Sequence, residues 1–228
     1  MTRLRIGVIG AGTIAQVEHI PNLNALADLF DLVGVADPSG ISRDFVTQVH
    51  GVPGYATPED LLAQGLDAVV ICSPDPLHRE QVLAALSAGI HVFCEKPLCY
   101  SPAEIADVIA ARDAAGKVVQ VGYMKRFDPA YRLALDSLPG TAKTLRHIAV
   151  QVNDPDAWPY VAHRPLRRGD DIPRDLIESA AARQRAQVAA AFGHHLPELA
   201  HRGFTSAYSS ALVHDVNAVH GILERLGI

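Results

Sequence analysis

With 228 residues, 49% of them hydrophobic and 20% charged, the chain can bury a sizeable core and has the composition of a soluble globular protein of one large domain or a domain and a half. A formal net charge of −5 argues against a general nucleic-acid binder, whose affinity for phosphates needs clustered Lys and Arg, and no apolar segment approaches membrane-spanning length. Cys72, Cys94 and Cys99 lack metal-type spacing, and glycines cut the first apolar run too short for a secretory leader, so free thiols in a reducing cytoplasm are expected.

The β-branched run Leu4 to Ile9 breaks into Gly10-Ala11-Gly12 and then opens a helical pattern at Thr13-Ile14-Ala15: strand, tight turn, helix. Gly10 allows the turn, Gly12 lets a backbone approach a pyrophosphate, and Ala15 permits close helix–strand packing, while the helix start turns its N–H groups toward the phosphates. The next apolar run, Asp31 to Ala36, ends on Asp37, at the distance where an acid meets the adenosine ribose. A carboxylate there accepts from a free 2′-hydroxyl and repels a 2′-phosphate, which points to NAD rather than NADP.

Ile41 to His50 reads as a helix, and Gly51 to Tyr55 as a turn into a short extended piece. Thr57-Pro58-Glu59-Asp60 starts a helix with a cap, a proline at the first position and a reaching acid. Leu66 to Cys72 is a strand apolar enough to be covered on both faces, and Ser73-Pro74-Asp75-Pro76 ends it. A helix over Pro76 to Ala88 stops at Gly89, and Ile90 to Cys94 is a strand with Glu95-Lys96-Pro97 at its carboxyl end. Ser101-Pro102-Ala103-Glu104 caps a helix ending at Gly116, before a strand over Lys117 to Val121. Strands alternating with helices imply an α/β fold, a doubly wound parallel sheet over 1–122 with ligands beyond the strand ends at Gly10, Asp37, Ser73, Glu95-Lys96 and Gly122.

After Gly122 the rhythm changes to a partial, largely helical α+β domain over 123–228. Arg126-Phe127-Asp128-Pro129 leads a helix to about Leu138, Pro139-Gly140 breaks it, and Thr144 to Val152 alternates like a strand with one wet face. Asn153 to Pro165 reads as a loop; Arg164 to Arg185 carries six arginines among four acids, a solvated surface or else a clamp for an anionic substrate. Ile172 to Phe192 favours helix, and Gly193 to Pro197 interrupts it. A last helix, Ser206 to Leu226, has the apolar stripe Leu212, Val216, Val219, Leu223, Leu226 and a second face of Ser210, His214, Asn217 and Gly221. His194, His195, His201, His214 and His220 lack the i, i+4 spacing of a helical zinc site, and no metal is expected.

Gly10 to Ala15, Ser73-Pro74-Asp75-Pro76-Leu77-His78 and Ala88-Gly89-Ile90-His91-Val92-Phe93-Cys94-Glu95-Lys96-Pro97-Leu98 together resemble the glucose–fructose oxidoreductase / inositol dehydrogenase / rhizopine catabolism (Gfo/Idh/MocA) family, over about the first 135 residues. The resemblance implies hydride transfer between a nicotinamide cofactor and a hydroxyl of a sugar, sugar acid or cyclitol, with a cofactor site of Gly10, Gly12, Thr13, Ile14, Asp37, Ser73, Pro74, His78, Glu95 and Lys96. It makes Lys96 catalytic, touching the nicotinamide ribose and the substrate hydroxyl and relaying its proton, and His214 the base, with Arg126, Ser210 and Asn217 beside them on the substrate. Many relatives carry an aspartate where this chain has Ser210; a serine supplies no charge to stabilise an imidazolium, which makes His214 a weaker base or only a substrate ligand.

Two other functions fit the same residues: a non-catalytic dinucleotide-binding sensor or scaffold, which Ser210 and the early chain end favour, and redox-neutral glycoside cleavage. Because relatives build their substrate domain on a large sheet continuing past the histidine helix, the chain is expected to be truncated, its second half serving substrate binding or oligomerisation, with a homo-oligomer allowed. A small polyol is the expected partner, with neither nucleic acid nor membrane.

Overall fold

The computed structural model describes residues 2–138, 145–153 and 158–228. The chain forms two compact units: Met1–Val121 with Ala157–His195, and Gly122–Asp156 with Leu196–Ile228. Their first boundary falls where the sequence changes rhythm, but the arginine-rich stretch and the helix after it join the first unit.

The first unit is built on six strands: β1 (Leu4–Ile9), β2 (Phe30–Ala36), β3 (Gly54–Tyr55), β4 (Ala68–Ile71), β5 (His91–Cys94) and β6 (Val119–Val121), ordered β3-β2-β1-β4-β5-β6 with every pairing parallel. Strand order reverses between β1 and β4, which makes the crevice beyond their carboxyl ends the topological switch point. The period of two divides the side chains between two cores: Val8, Val35, Val70 and Cys72 on one face, Ile9, Ala36, Val69 and Ile71 on the other. Near-continuous apolar strands are thereby explained, since both sheet faces are covered.

The crossover helices start where their caps predict. α1 begins at the glycine turn as a π-helical turn, Ala15–His19, and continues as Ile20–Ala25. Ser39 caps α2 (Gly40–His50), Thr57 caps α3 (Pro58–Leu62) and Ser101 caps α5 (Pro102–Ala115), each hydroxyl accepting from the amide three residues on. α4 (His78–Ser87) follows a 3-10 turn, Asp75–Leu77, and both α2 and α5 end on a left-handed glycine. α8 (Arg174–Phe192) lies on that 3-10 turn: Gln187 donates to the Pro76 carbonyl at 3.2 Å, Arg183 pairs with Glu80, and Val188 is fully buried.

The second unit has a 3-10 turn, Met124–Phe127, and the helices α6 (Pro129–Ser137), α9 (Glu198–Arg202) and α10 (Val213–Leu226), the last preceded by a π-helical segment, Gly203–Leu212. α10 is tied to the turn by polar contacts. Lys125 Nζ donates to Asp215 at 2.8 and 3.0 Å, Arg126 to Asn217 at 2.8 Å and to Glu224 at 3.0 Å, and the Tyr131 hydroxyl to the Ala218 carbonyl at 2.7 Å. Gly221 lies beneath the Arg126 guanidinium and the Tyr131 hydroxyl, where a larger residue would overlap both.

Three local expectations need correction. Residues 145–153 form no strand; an alternating segment becomes one only against a partner, and none pairs with it among the described residues. Thr144 and the Pro139-Gly140 break lie outside the described residues. Within the expected loop 153–165, α7 (Trp158–Val161) forms a single helical turn. On the last helix burial is divided between the two faces: His214 and Gly221 of the polar face are buried with Leu226 of the stripe, while Ser210 is exposed and Leu212 and Val216 are 40% and 45% exposed. No helix among the described residues is long and apolar enough to cross a membrane.

Candidate functional site

The carboxyl ends of β1 and β2 meet through one carboxylate. Asp37 accepts from the Ala11 amide at 2.7 Å and from the Ser39 amide at 2.8 Å, so the acid after β2 is fixed against the glycine turn after β1. Burial pushes the Asp37 carboxyl above the ordinary aspartate range, the two amides and the Arg43 guanidinium oppose that, and nearby Asp171 adds to the rise. Gly10 is in the left-handed region, φ +96°, and a Cβ there would stand 2.7 Å from the Cys72 and Ser73 backbone, so no other residue makes this turn without displacing β4.

The first helical bond of α1 is Gln16 N–H to the Gly12 carbonyl at 3.1 Å; the amides before it therefore lie ahead of the helix ladder and face out of its N-terminus. A Cβ built on Gly12 would meet nothing within 4 Å, so the space beside this glycine is open. Glycine turn, outward amides and adjacent carboxylate fit a dinucleotide: donors for a pyrophosphate, then an acceptor for ribose hydroxyls.

Ser73, Glu95 and Lys96 stand on the same edge, at the ends of β4 and β5. Ser73 donates to Gln81 at 2.5 Å, and exposed Pro74 leads into the 3-10 turn. His78 is 1% exposed, its two ring nitrogens 2.7 Å from the Pro97 carbonyl and 2.8 Å from the Ser73 carbonyl. The buried His78 ring thus bridges the backbone of the two loops that border the site.

Glu95 pairs with His19 at 2.8 Å and accepts from the Lys96 amide at 3.3 Å. Burial raises its carboxyl, but the His19 hydrogen bond and charge, with Lys96, more than reverse this and hold it below the usual glutamate range. Beside Lys96, the Asp75 carboxyl is pushed up by burial against the pull of His78, Tyr100 and Lys96; the Tyr100 hydroxyl is 3.3 Å from Asp75 and accepts from Gln184 of α8 at 2.9 Å. The Lys96–Pro97 peptide is cis. Cys72 and Cys94 are buried thiols pushed far up by desolvation, and burial carries Cys99 up to about 12.

On the second unit His214 is 9% exposed and meets Tyr123 edge to face, ring centroids 6.3 Å apart. Ser210 lies exposed on the preceding π-helical segment, and Arg126 and Asn217 are bonded to one another. Sequence reasoning missed Gln16, His19, Asp75, Gln81 and Tyr100 as supports. Gln16 alone left a signal, a polar residue within the apolar start of α1.

The geometry defines a class first: a Rossmann domain with a dinucleotide turn at its switch point. The model of the Gfo/Idh/MocA oxidoreductase family, described as an NAD-binding Rossmann fold, matches residues 4–123, and the chain belongs to that family. It is 40% identical over 134 residues to an inositol 2-dehydrogenase of Saccharopolyspora erythraea, a match covering 57% of this chain and 38% of the relative. With an inositol 2-dehydrogenase of Paracoccus denitrificans it shares 31% identity over 172 residues, covering 74% of this chain and 48% of the relative. The WlbA dehydrogenase of Bordetella pertussis, solved with NADH and UDP-GlcNAcA, superposes with a TM-score of 0.57 at 28% identity, covering 60% of this chain and 42% of that one. The chain thus spans less than half the length of the relatives it matches.

Proposed function

We propose that this chain serves an NAD-dependent oxidoreductase acting on a CH–OH group of a sugar, sugar acid or cyclitol in the cytoplasm. The observation that supports the reading is Asp37 held 2.7 Å from the Ala11 amide, a carboxylate suited to ribose hydroxyls beside a glycine turn suited to a pyrophosphate. The inositol dehydrogenase relatives favour a cyclitol, and the nucleotide-sugar acid seen with WlbA favours a sugar acid.

When bound, the nicotinamide supplies the acceptor or donor of the hydride. The rest falls to side chains of this chain. Gly12, Thr13 and Ile14 offer their amides to the pyrophosphate, Asp37 accepts from the adenosine ribose, and the Ser73-Pro74 loop borders the cofactor. Lys96 Nζ holds the substrate hydroxyl and passes on its proton, with Glu95 kept ionised behind it; His214 is the second proton-handling group, with Arg126, Ser210 and Asn217 proposed for substrate hydroxyls. Residues 123–228 are proposed to serve substrate binding and self-association.

Reduced-nicotinamide absorbance over a panel of cyclitols and sugar acids tests the reaction; growth of the band with at least one substrate is expected, and none in any combination sinks it. NAD is expected to bind more tightly than NADP by about 1.5–3 kcal/mol, and Asp37→Ala to narrow the gap. Equal affinities in the unmodified protein refute Asp37 as the selector. A second reading, a dinucleotide-binding sensor without turnover, is favoured by exposed Ser210 and by the Arg126–Asn217 bond, which engages two proposed substrate ligands with each other. It predicts NAD binding with no absorbance change and no altered product.

A further inference from the structure

Residues 167–171 cross the candidate cofactor crevice. The Gln16 amide group, 2% exposed, bonds the Arg167 backbone both ways, donating to its carbonyl at 2.7 Å and accepting from its N–H at 2.9 Å. Arg168 Nε donates to the Thr13 hydroxyl at 3.0 Å, at the glycine turn. The Gly169 N–H donates to the Ser42 hydroxyl at 3.1 Å, and its Cα lies so close to Ser39 that any Cβ would overlap the hydroxyl. Asp171 then accepts from the Ser39 hydroxyl and from the Ile41 N–H, the latter at 3.1 Å, just beyond Asp37.

These contacts run from the glycine turn after β1 to the turn after β2, joining residues more than 120 positions apart in sequence. Charge is ordered along the segment. Its guanidinium stands at the turn that the dinucleotide reading gives to the pyrophosphate, and its carboxylate at the turn given to the adenosine ribose. We infer that residues 167–171 form a strap that completes the dinucleotide site, with Arg168 a ligand of the pyrophosphate and Asp171 a second selector, beside Asp37, against a 2′-phosphate. The inference rests on the proposed dinucleotide function and adds residues that the glycine motif does not contain. The physical reason is charge economy: an arginine adds a charge-assisted bond to a phosphate common to both cofactors, whereas a second carboxylate next to Asp37 penalises only the cofactor that brings a phosphate there.

Equilibrium titration of NAD and NADP in low-salt buffer, where exposed charges are least screened, separates the two roles. Asp171→Asn keeps the shape and one acceptor; it is expected to tighten NADP about tenfold and leave NAD within about twofold. Arg168→Gln, at an exposed position that does not depend on the first variant folding, is expected to weaken both cofactors together by about three- to tenfold. An unchanged NAD-to-NADP ratio in Asp171→Asn, or unchanged affinities in Arg168→Gln, overturns the strap while leaving the dinucleotide reading intact. NAD binding that appears only in the variants also overturns it, because the strap would then exclude the cofactor. Failure of every protein, unmodified included, to bind either dinucleotide ends the dinucleotide reading and the strap with it.

Discussion

The two compact units are held together by different physics. Among the described residues, nearly every buried apolar side chain belongs to the sheet unit, where two cores sandwich the strands; in the second unit Leu226 is buried beside the polar Ser209 and His214, and ion pairs and hydrogen bonds do the tying. Apolar burial contributes roughly 25 cal/mol per Å2, while a half-exposed ion pair adds at most about 1 kcal/mol. The sheet unit is therefore built to stay rigid, and the second unit to open locally at little cost.

Chemistry offers the sharpest way to break this contrast. If the proton relay rests on the rigid unit, Lys96→Met lowers turnover about 10²- to 10⁴-fold with NAD affinity nearly unchanged, while His214→Ala costs less because Ser210 brings no negative charge to its imidazolium. Near-full activity in the lysine variant, measured by reduced-nicotinamide absorbance, removes that relay.

Stability comes next. Ile71→Ala, in the fully buried middle of the sheet, is expected to cost about 2–4 kcal/mol in urea unfolding and to take dinucleotide binding with it. A loss below about 1 kcal/mol contradicts the core described for this unit.

A smaller, pH-dependent effect follows from Glu95, whose folded carboxyl lies below its ordinary value of 4.5. Its contribution is fully present above 4.5 and fades as the pH falls toward the lowered folded value. Glu95→Gln should cost about 1–2 kcal/mol at neutral pH, and the gap to the unmodified protein should close in acid. A gap constant with pH denies the His19–Glu95 pair any role in folding.

The least effect is expected from Asp215→Asn. It should cost about 0.5–1 kcal/mol, visible as faster amide exchange along α10 with no change across β1 and β4. Faster exchange in both units alike would mean that they open as one.

The same contrast separates what the sequence could tell from what it could not. Period-two alternation, Ser39, Thr57 and Ser101 as caps, and the glycine turn are local signals, and β1, β2, β4, β5 and β6 lie within a few residues of where those signals put them. Asp37 was legible because its spacing from the glycines carries the information. The strap was not, since Arg168 meets Thr13 across 155 positions and the run of arginines around it looks like any solvated surface. Residues 145–153 alternate without a strand partner among the described residues, and on the last helix Leu212 and Val216 stay exposed while Arg126 and Tyr131 bind Asn217 and the Ala218 carbonyl.

The buried thiols turn the sheet unit into its own reporter. Cys72, Cys94 and Cys99 all lie in that unit, and burial holds the Cys72 and Cys94 thiols far above the ordinary range and Cys99 at about 12. An alkylating reagent such as iodoacetamide attacks thiolates, so half-buried Cys99 reacts from the folded state, whereas carbamidomethylation of buried Cys72 and Cys94 must wait for the sheet to open. Its rate, followed by mass, counts openings of the cofactor-binding sheet in unmodified protein, without any introduced label and with no signal from the helices of the other unit.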